Sequence, residues 1–247
     1  MTRASLSLLA ATLLAALVFT LWPGLDLLAS APFHDATTGA WLAEAPALAF
    51  LREALWTAME LATPAFALMF LLALARRKAA AVPARLWGFA LLAMALGPGL
   101  LVNGLLKDHW GRARPRTIAE FGGEAAFTPA LEIADQCAKN CSFVSGEVAA
   151  AATLSLVLWL IASARLQGAA RKALAAVLVA ATALSGFLRL AGGGHFLSDT
   201  VFAVLFAALL TLALWRLTGA ARVAPRLTGA GLLADIRAPL AALRRPK

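Results

Sequence analysis

Apolar residues fall into six long runs along this chain, and polar and charged residues gather between them. The runs lie at about residues 6–22, 54–75, 86–106, 146–164, 173–190 and 199–215, each near the roughly 17 to 25 residues that a membrane-spanning helix requires. The pattern predicts an all-α polytopic membrane protein with six transmembrane helices. Gly97-Pro98-Gly99 interrupts the third run, where proline removes a backbone donor, and a kink is expected there. Most of the seven tryptophans sit near the ends of runs, as interfacial anchors do. No internal repeat suggests a duplicated transporter architecture.

Composition strengthens this picture. Hydrophobic residues make up 62% of the chain and charged residues 14%, and the mean hydropathy is +0.81. Soluble domains run at about 45–50% apolar and about 25% charged. The net charge of +9 does not describe a nucleic-acid-binding face, because most of the cations sit between apolar runs and in the tail. The connections RRKAAAVPAR and RLQGAARK follow the second and fourth runs, and Arg3 precedes the first. The tail carries Arg216, Arg222, Arg226, Arg237, Arg244, Arg245 and Lys247. With alternating spans all of these share one side, which the positive-inside rule makes cytoplasmic. Both termini are then inside, in a bacterial inner membrane. The connections 23–53 and 107–145 and the Gly-rich loop near 192 face the periplasm. The tail, broken by Pro225 and Pro239, is expected to lie on the anionic inner leaflet or to be disordered. Ala29-Ser30-Ala31 resembles a signal-peptide cleavage site, but the following Pro32 argues that the first run stays as a helix.

The outer connections keep cations on the side the topology rule disfavours: Lys107, Arg112, Arg114, Arg116 and Arg189. Ligand binding explains them better than a solvated basic loop. Three motifs carry the chemistry. KDHWGRARP, residues 107–115, sets Lys107 seven residues before Arg114, a mobile point charge and a planar fork for phosphate oxygens. CSFVSGEVAA, residues 141–150, opens the fourth run. Ser145 there is an N-cap, and Gly146 allows an anion close to the helix-end N–H groups. Glu147 adds a carboxylate that a plain cap does not need. SGFLRLAGGGHFLSD, residues 185–199, brings Arg189, His195 and, four residues later, Asp199. Taken alone, His195 is a nucleophile, a base or a core histidine satisfied by Asp199. Glu60, inside the second run, is either an intramembrane functional carboxylate or one paired at the interface. Cys137 and Cys141 either form a disulfide that pins the loop delivering Ser145 or stay as two thiols. No nearby histidine completes a metal set with them, and no metal or other cofactor is expected.

Together the motifs resemble the type 2 phosphatidic acid phosphatase family, relatives of the vanadium haloperoxidases and glucose-6-phosphatase. The family pattern is K-x6-R-P, then P-S-G-H, then S-R-x5-H-x3-D. Lys107, Arg114 and Pro115 match the first part, and Arg189, His195 and Asp199 the third, with Leu188 in place of serine. Ser145 and Gly146 match the second, while Val144 replaces proline and Glu147 replaces histidine. The resemblance covers roughly residues 55 to 215. It implies that His195 attacks phosphorus, that Asp199 holds its other ring nitrogen, and that Lys107, Arg114, Arg189, Ser145 and Gly146 bind the phosphate oxygens. The family's general acid is the missing histidine. Glu147 takes that position, with His109 or a leaving group that needs no acid as the rivals.

The chain then divides into residues 1–53, a first helix with an outer loop; 54–215, a catalytic transmembrane core; and 216–247, a basic cytoplasmic tail. The expected activity is a metal-independent phosphatase acting on a lipid-linked phosphate at the outer membrane face, through a phosphohistidine intermediate. Lipid A is the first choice of substrate, ahead of undecaprenyl diphosphate, phosphatidylglycerol phosphate and phosphatidic acid. A lipid phosphotransferase or an inactive descendant is a different outcome, and a small membrane transporter the non-enzymatic one. The expected partners are the lipid substrate and the bilayer, with no nucleic acid; oligomeric state is not legible.

Overall fold

The computed structural model describes residues 3–76 and 82–243; Arg77, Lys78, Arg244, Arg245 and Lys247 lie outside the described residues. In chain order the helices are α1 (Arg3–Leu21), α2 (Leu25–Ser30), α3 (Pro46–Arg76), α4 (Ala84–Met94) and α5 (Lys107–His109). There follow α6 (Gly146–Ala162), α7 (Gly168–Ala191), α8 (Leu197–Leu217), α9 (Ala220–Val223) and α10 (Gly229–Leu243). Among the described residues, β structure is limited to two isolated bridges, His34 with Trp41 and Ile118 with Ala125. The protein is an all-α, multi-pass membrane protein.

Among the described residues, five helices are long and apolar enough to cross a membrane: Arg3–Leu21, Pro46–Arg76, Ala84–His109, Gly168–Ala191 and Leu197–Leu217. The sixth expected span, α6, has 17 residues. At 1.5 Å per residue it is about 26 Å long, somewhat short of a hydrocarbon core of about 30 Å. It packs between α7, α8 and the π-helical segment described below. Its start is set by the Ser145 cap, and its first two turns are enclosed by neighbouring helices. Most of its buried residues are small: Gly146, Ala149, Ala150, Ala151, Ala152 and Thr153, beside Val148 and Val157. Such small side chains let backbones approach closely, which is how helices associate where lipid removes the hydrophobic drive.

The third span is continuous from Ala84 to His109, and Ala95–Leu106 within it is π-helical. Pro98 has no N–H for an α-helical register. The expected interruption therefore takes the form of a change of register inside an unbroken helix. α3 begins earlier than the apolar run because Pro46 opens it, and proline suits a first turn. Glu60 lies on the exposed side of α3, eight residues or about 12 Å along the axis from Arg52, and takes no part in the site described below.

Four apolar clusters lie among the described residues, and two of them fill most of the bundle. One packs Leu86, Phe89, Val157, Leu214 and Val223. The other packs Phe19, Val102, Phe143, Val144, Val148 and Phe202 at the end that carries the three motifs, where Trp110 stacks on Phe143 with ring centroids 4.5 Å apart. At the opposite end the described part of the tail forms α9 and α10. Asp235 of α10 is buried, accepts the Val82 N–H at 2.7 Å and pairs with Arg76 at 2.9 Å. Arg216 donates to Ser5 at 2.7 Å, so the start of α1 and the end of α8 meet there.

Candidate active site

The end of α5, the start of α6, the end of α7 and the start of α8 converge at one end of the bundle. His195 lies between α7 and α8, 1% exposed. Its Nδ1 is 2.7 Å from the Ser142 carbonyl oxygen. A carbonyl can only accept, so Nδ1 carries the proton and Nε2 keeps its lone pair. Burial pushes the imidazole down from 6.5 to about 3; the Arg189 and Lys107 charges act in the same direction, against Asp199. The ring is therefore neutral near pH 7.

Asp199 does not make the bond to His195 that the motif implied. Its Oδ2 is 3.7 Å from Nδ1 and accepts instead from the Ser142 hydroxyl and the Phe196 N–H, at 2.5 and 2.9 Å. Its Oδ1 accepts from Arg112 at 2.7 Å. The carboxylate thus acts on His195 through the Ser142 loop and as a charge at short range. Sequence reasoning left Arg112 among the outer cations, whereas the structure buries it completely. It donates to Asp199, to Ser198 Oγ at 2.9 Å, to Asp26 at 2.8 Å and to the Thr128 carbonyl at 2.9 Å. Asp26 also accepts the Ser198 N–H and hydroxyl. Nothing in the sequence pairs Asp26 with Arg112, since 86 residues separate them.

Lys107 and Arg114 have donors to spare. Lys107 Nζ and Arg114 Nη2 share Asn140 Oδ1, at 3.2 and 3.0 Å. Burial, then the Arg116 charge, lowers the Arg114 pKa, as expected where cations crowd. Arg116 itself is used up by the Gly192 and Gly193 carbonyls of the glycine loop. The Arg189 guanidinium lies against that loop: a Cβ at position 194 would come within 2.8 Å of its Cζ, so Gly194 is what admits it. Arg189 Nε is buried with no partner. An unpaired buried donor is costly, and an anionic ligand would satisfy it.

Ser145 caps α6, its Oγ accepting the Val148 N–H at 3.4 Å, and its own N–H donates to the Asp199 carbonyl at 3.2 Å. At Gly146 a side chain would meet Asn103 Oδ1 at 2.7 Å and Lys107 Nζ at 3.4 Å. Glycine therefore lets the lysine lie against the helix start, where free N–H groups attract anions. Glu147 is engaged by two arginines. Arg52 donates to both of its oxygens, through Nε at 3.0 Å and through Nη2, and Arg189 Nη1 is 3.3 Å from Oε1. Arg52 was not anticipated. His109, the rival proton donor, is exposed, and its Nδ1 is bonded back to the Leu105 carbonyl at 2.8 Å. Cys137 and Cys141 are bridged, with Cα atoms 5.6 Å apart, and the bridge spans Asn140. Among the described residues, no group of three or more His, Cys, Asp or Glu side chains forms that could hold a metal.

An apolar cavity of about 780 Å³ opens between α6, α7 and α8, starting at the site end of the bundle. Val148, Leu190 and Leu197 line its end nearest the site, and Trp159, Ala175 and Ala208 lie farthest along the helices. These rim residues sit one or two positions from Glu147, Arg189 and His195.

The sequence model of the PAP2 superfamily matches residues 86–222, more than half of the chain. The chain belongs to the PAP2 superfamily. Among curated proteins it is 40% identical over 131 residues to the lipid A 4'-phosphatase of Francisella tularensis subsp. novicida (strain U112), covering 52% of this chain and 56% of that one. It is 44% identical over 128 residues to the lipid A 4'-phosphatase of Rhizobium leguminosarum, covering 50% and 53%. The Rhizobium etli protein of the same name is 42% identical over 125 residues, covering 49% and 47%. The chain thus spans about half the length of the curated relatives it matches. No solved structure matches it. Against the family pattern, the first motif is complete, the third has Leu188 in place of serine, and the second departs at Val144 and Glu147.

Proposed function

We propose that this PAP2 protein is a membrane phosphatase that hydrolyses a lipid-linked phosphate at the outer face of a bacterial inner membrane through a phosphohistidine intermediate, with lipid A as the substrate. The observation that carries the reading is a neutral buried histidine with Nε2 bare, set among cations with unused donors, at the end of the bundle where an apolar cavity between membrane helices begins. From Val148 to Trp159, and from Leu197 to Ala208, the cavity runs along eleven helical steps, about 17 Å. That is close to half of a hydrocarbon core about 30 Å thick, the depth an acyl chain occupies in one leaflet. A soluble phosphoester has no use for such a cavity.

In this reading His195 Nε2 attacks phosphorus in line, the bond to the lipid oxygen breaks, and the phosphoryl group passes to the ring. Lys107, Arg114, Arg189 and the N–H groups at Gly146 hold the non-bridging oxygens, whose charge they offset as it redistributes. Asp199 stabilises the positive charge that forms on the imidazole, and Ser142 keeps the ring oriented. Water then attacks the phosphohistidine and releases phosphate. Glu147, committed to two arginines, serves position rather than proton transfer, which leaves water at the site mouth to protonate the departing oxygen. The basic connections at the far end favour the cytoplasm for that end, and the disulfide suits an oxidising compartment for the site. The names of the relatives favour lipid A.

The test is mass spectrometry of membrane lipids with and without expression of the chain, alongside phosphate release by purified wild type and His195→Ala. Lipid A short of one phosphate, and no release by the variant, is expected. Unchanged lipid A with loss of phosphate from another lipid would redirect the substrate. Equal release by His195→Ala would overturn the phosphatase reading.

A further inference from the structure

We propose that Arg52 is a positioning residue of the phosphate site, acting through Glu147 on Arg189. The proposal rests on the phosphatase reading, and it brings in α3, which lies outside the stretch matched by the family model. Arg52 is the outermost of the three side chains, 37% exposed against 12% for Glu147 and 8% for Arg189. Its fork takes both oxygens of Glu147, a planar two-bond contact that fixes a carboxylate's orientation as a single ammonium does not. So held, Glu147 offers Arg189 only a shared oxygen, at 3.3 Å from Nη1. The other edge of Arg189 carries the unpartnered Nε, a buried donor that Glu147 does not engage.

The competition is the point. Glu147 is an anion beside the donors meant for phosphate, and without Arg52 it would turn both oxygens onto Arg189 and occupy them. Arg52 draws Glu147 away, so the glutamate orients Arg189 without blocking it. A histidine at position 147 would set up no such competition, and the arginine on α3 is then the counterpart of the departure from the family pattern.

Inorganic phosphate binding to the purified full-length chain, followed by thermal shift, tests this without requiring turnover. Arg52→Ala should weaken phosphate binding roughly 10-fold, the scale of one charge-assisted bond. Arg52→Lys should fall between it and wild type. The double variant Arg52→Ala with Glu147→Gln should regain most of that loss, because a neutral amide competes weakly for Arg189. If the pair were only a tie between α3 and α6, the second substitution would restore nothing. Wild-type affinity in Arg52→Ala, or a double variant no better than Arg52→Ala, would overturn the proposal. Both measurements are independent of the His195→Ala assay, which tests the phosphatase reading.

Discussion

Arg112 and Arg189 are both buried arginines, each within reach of carboxylates at the same end of the bundle. Arg112 is saturated: its Nε, Nη1 and Nη2 all have partners, among them two aspartates, a hydroxyl and a carbonyl. Arg189 shares one carboxylate oxygen with Arg52 and leaves its Nε unmet. The difference separates structure from function more sharply than residue type or burial does. A saturated cation has nothing left to offer a ligand, and removing it strands the charges it neutralised. An unsaturated one keeps a donor that a ligand can engage.

That contrast sets the expected effects. The largest falls on neither arginine: His195→Ala should lower phosphate release by about 10³-fold or more while the thermal melt in detergent barely moves. Arg112→Ala should cost about 3–5 kcal/mol of stability, because Asp26 and Asp199 are left buried and unpaired. It should be seen as a lowered melting temperature or a failure to accumulate. Arg189→Ala should instead lower kcat/KM by about 10²–10³-fold, the range for losing one preorganised donor, with the melt little changed. The distinction would collapse if Arg112→Ala melted like wild type, or if Arg189→Ala unfolded.

Smaller effects sharpen the same contrast. Replacing Cys137 and Cys141 by serine should cost about 2 kcal/mol in the chain-entropy account. It should also raise KM, since the bridge spans the Asn140 that holds Lys107 and Arg114, and leave the Arg112 cluster intact. A further effect is one of pH. His195 is neutral down to about 3 when folded, against 6.5 ordinarily, so between these values the unfolded chain binds a proton that the folded chain does not. Stability from this group is present above about 6.5 and lost as the pH falls. Thermal melts from pH 7 to 4 should show that slope, and His195→Asn should reduce it.

Much of the architecture could be read along the chain because its signals are local. An apolar run long enough to span a bilayer is helical wherever it sits, since lipid leaves backbone groups no partner but one another. Ser145 was legible as a cap and Gly146 as a close approach for the same reason. The motif spacings placed Lys107, Arg114, Arg189 and His195 at the ends of consecutive spans, and those ends do converge. The extent of α6 was less legible, because its neighbours rather than its own hydropathy decide how much of it meets lipid. The partners of the charges were not legible at all. Arg52 meets Glu147 across 95 residues, and Arg112 meets Asp26 across 86.

By itself, then, the sequence determined that this is a helical membrane protein, which segments span, and which reactive side chains stand at their ends. Only the tertiary structure decided that Ser142, rather than Asp199, takes the His195 Nδ1–H, that Arg112 is spent on two aspartates, and that Glu147 is held by Arg52. The physical reason is one of range. Hydropathy and capping act within a few residues of chain, whereas a buried charge is satisfied by whichever partner packing brings within about 3 Å, and packing is a property of the whole bundle.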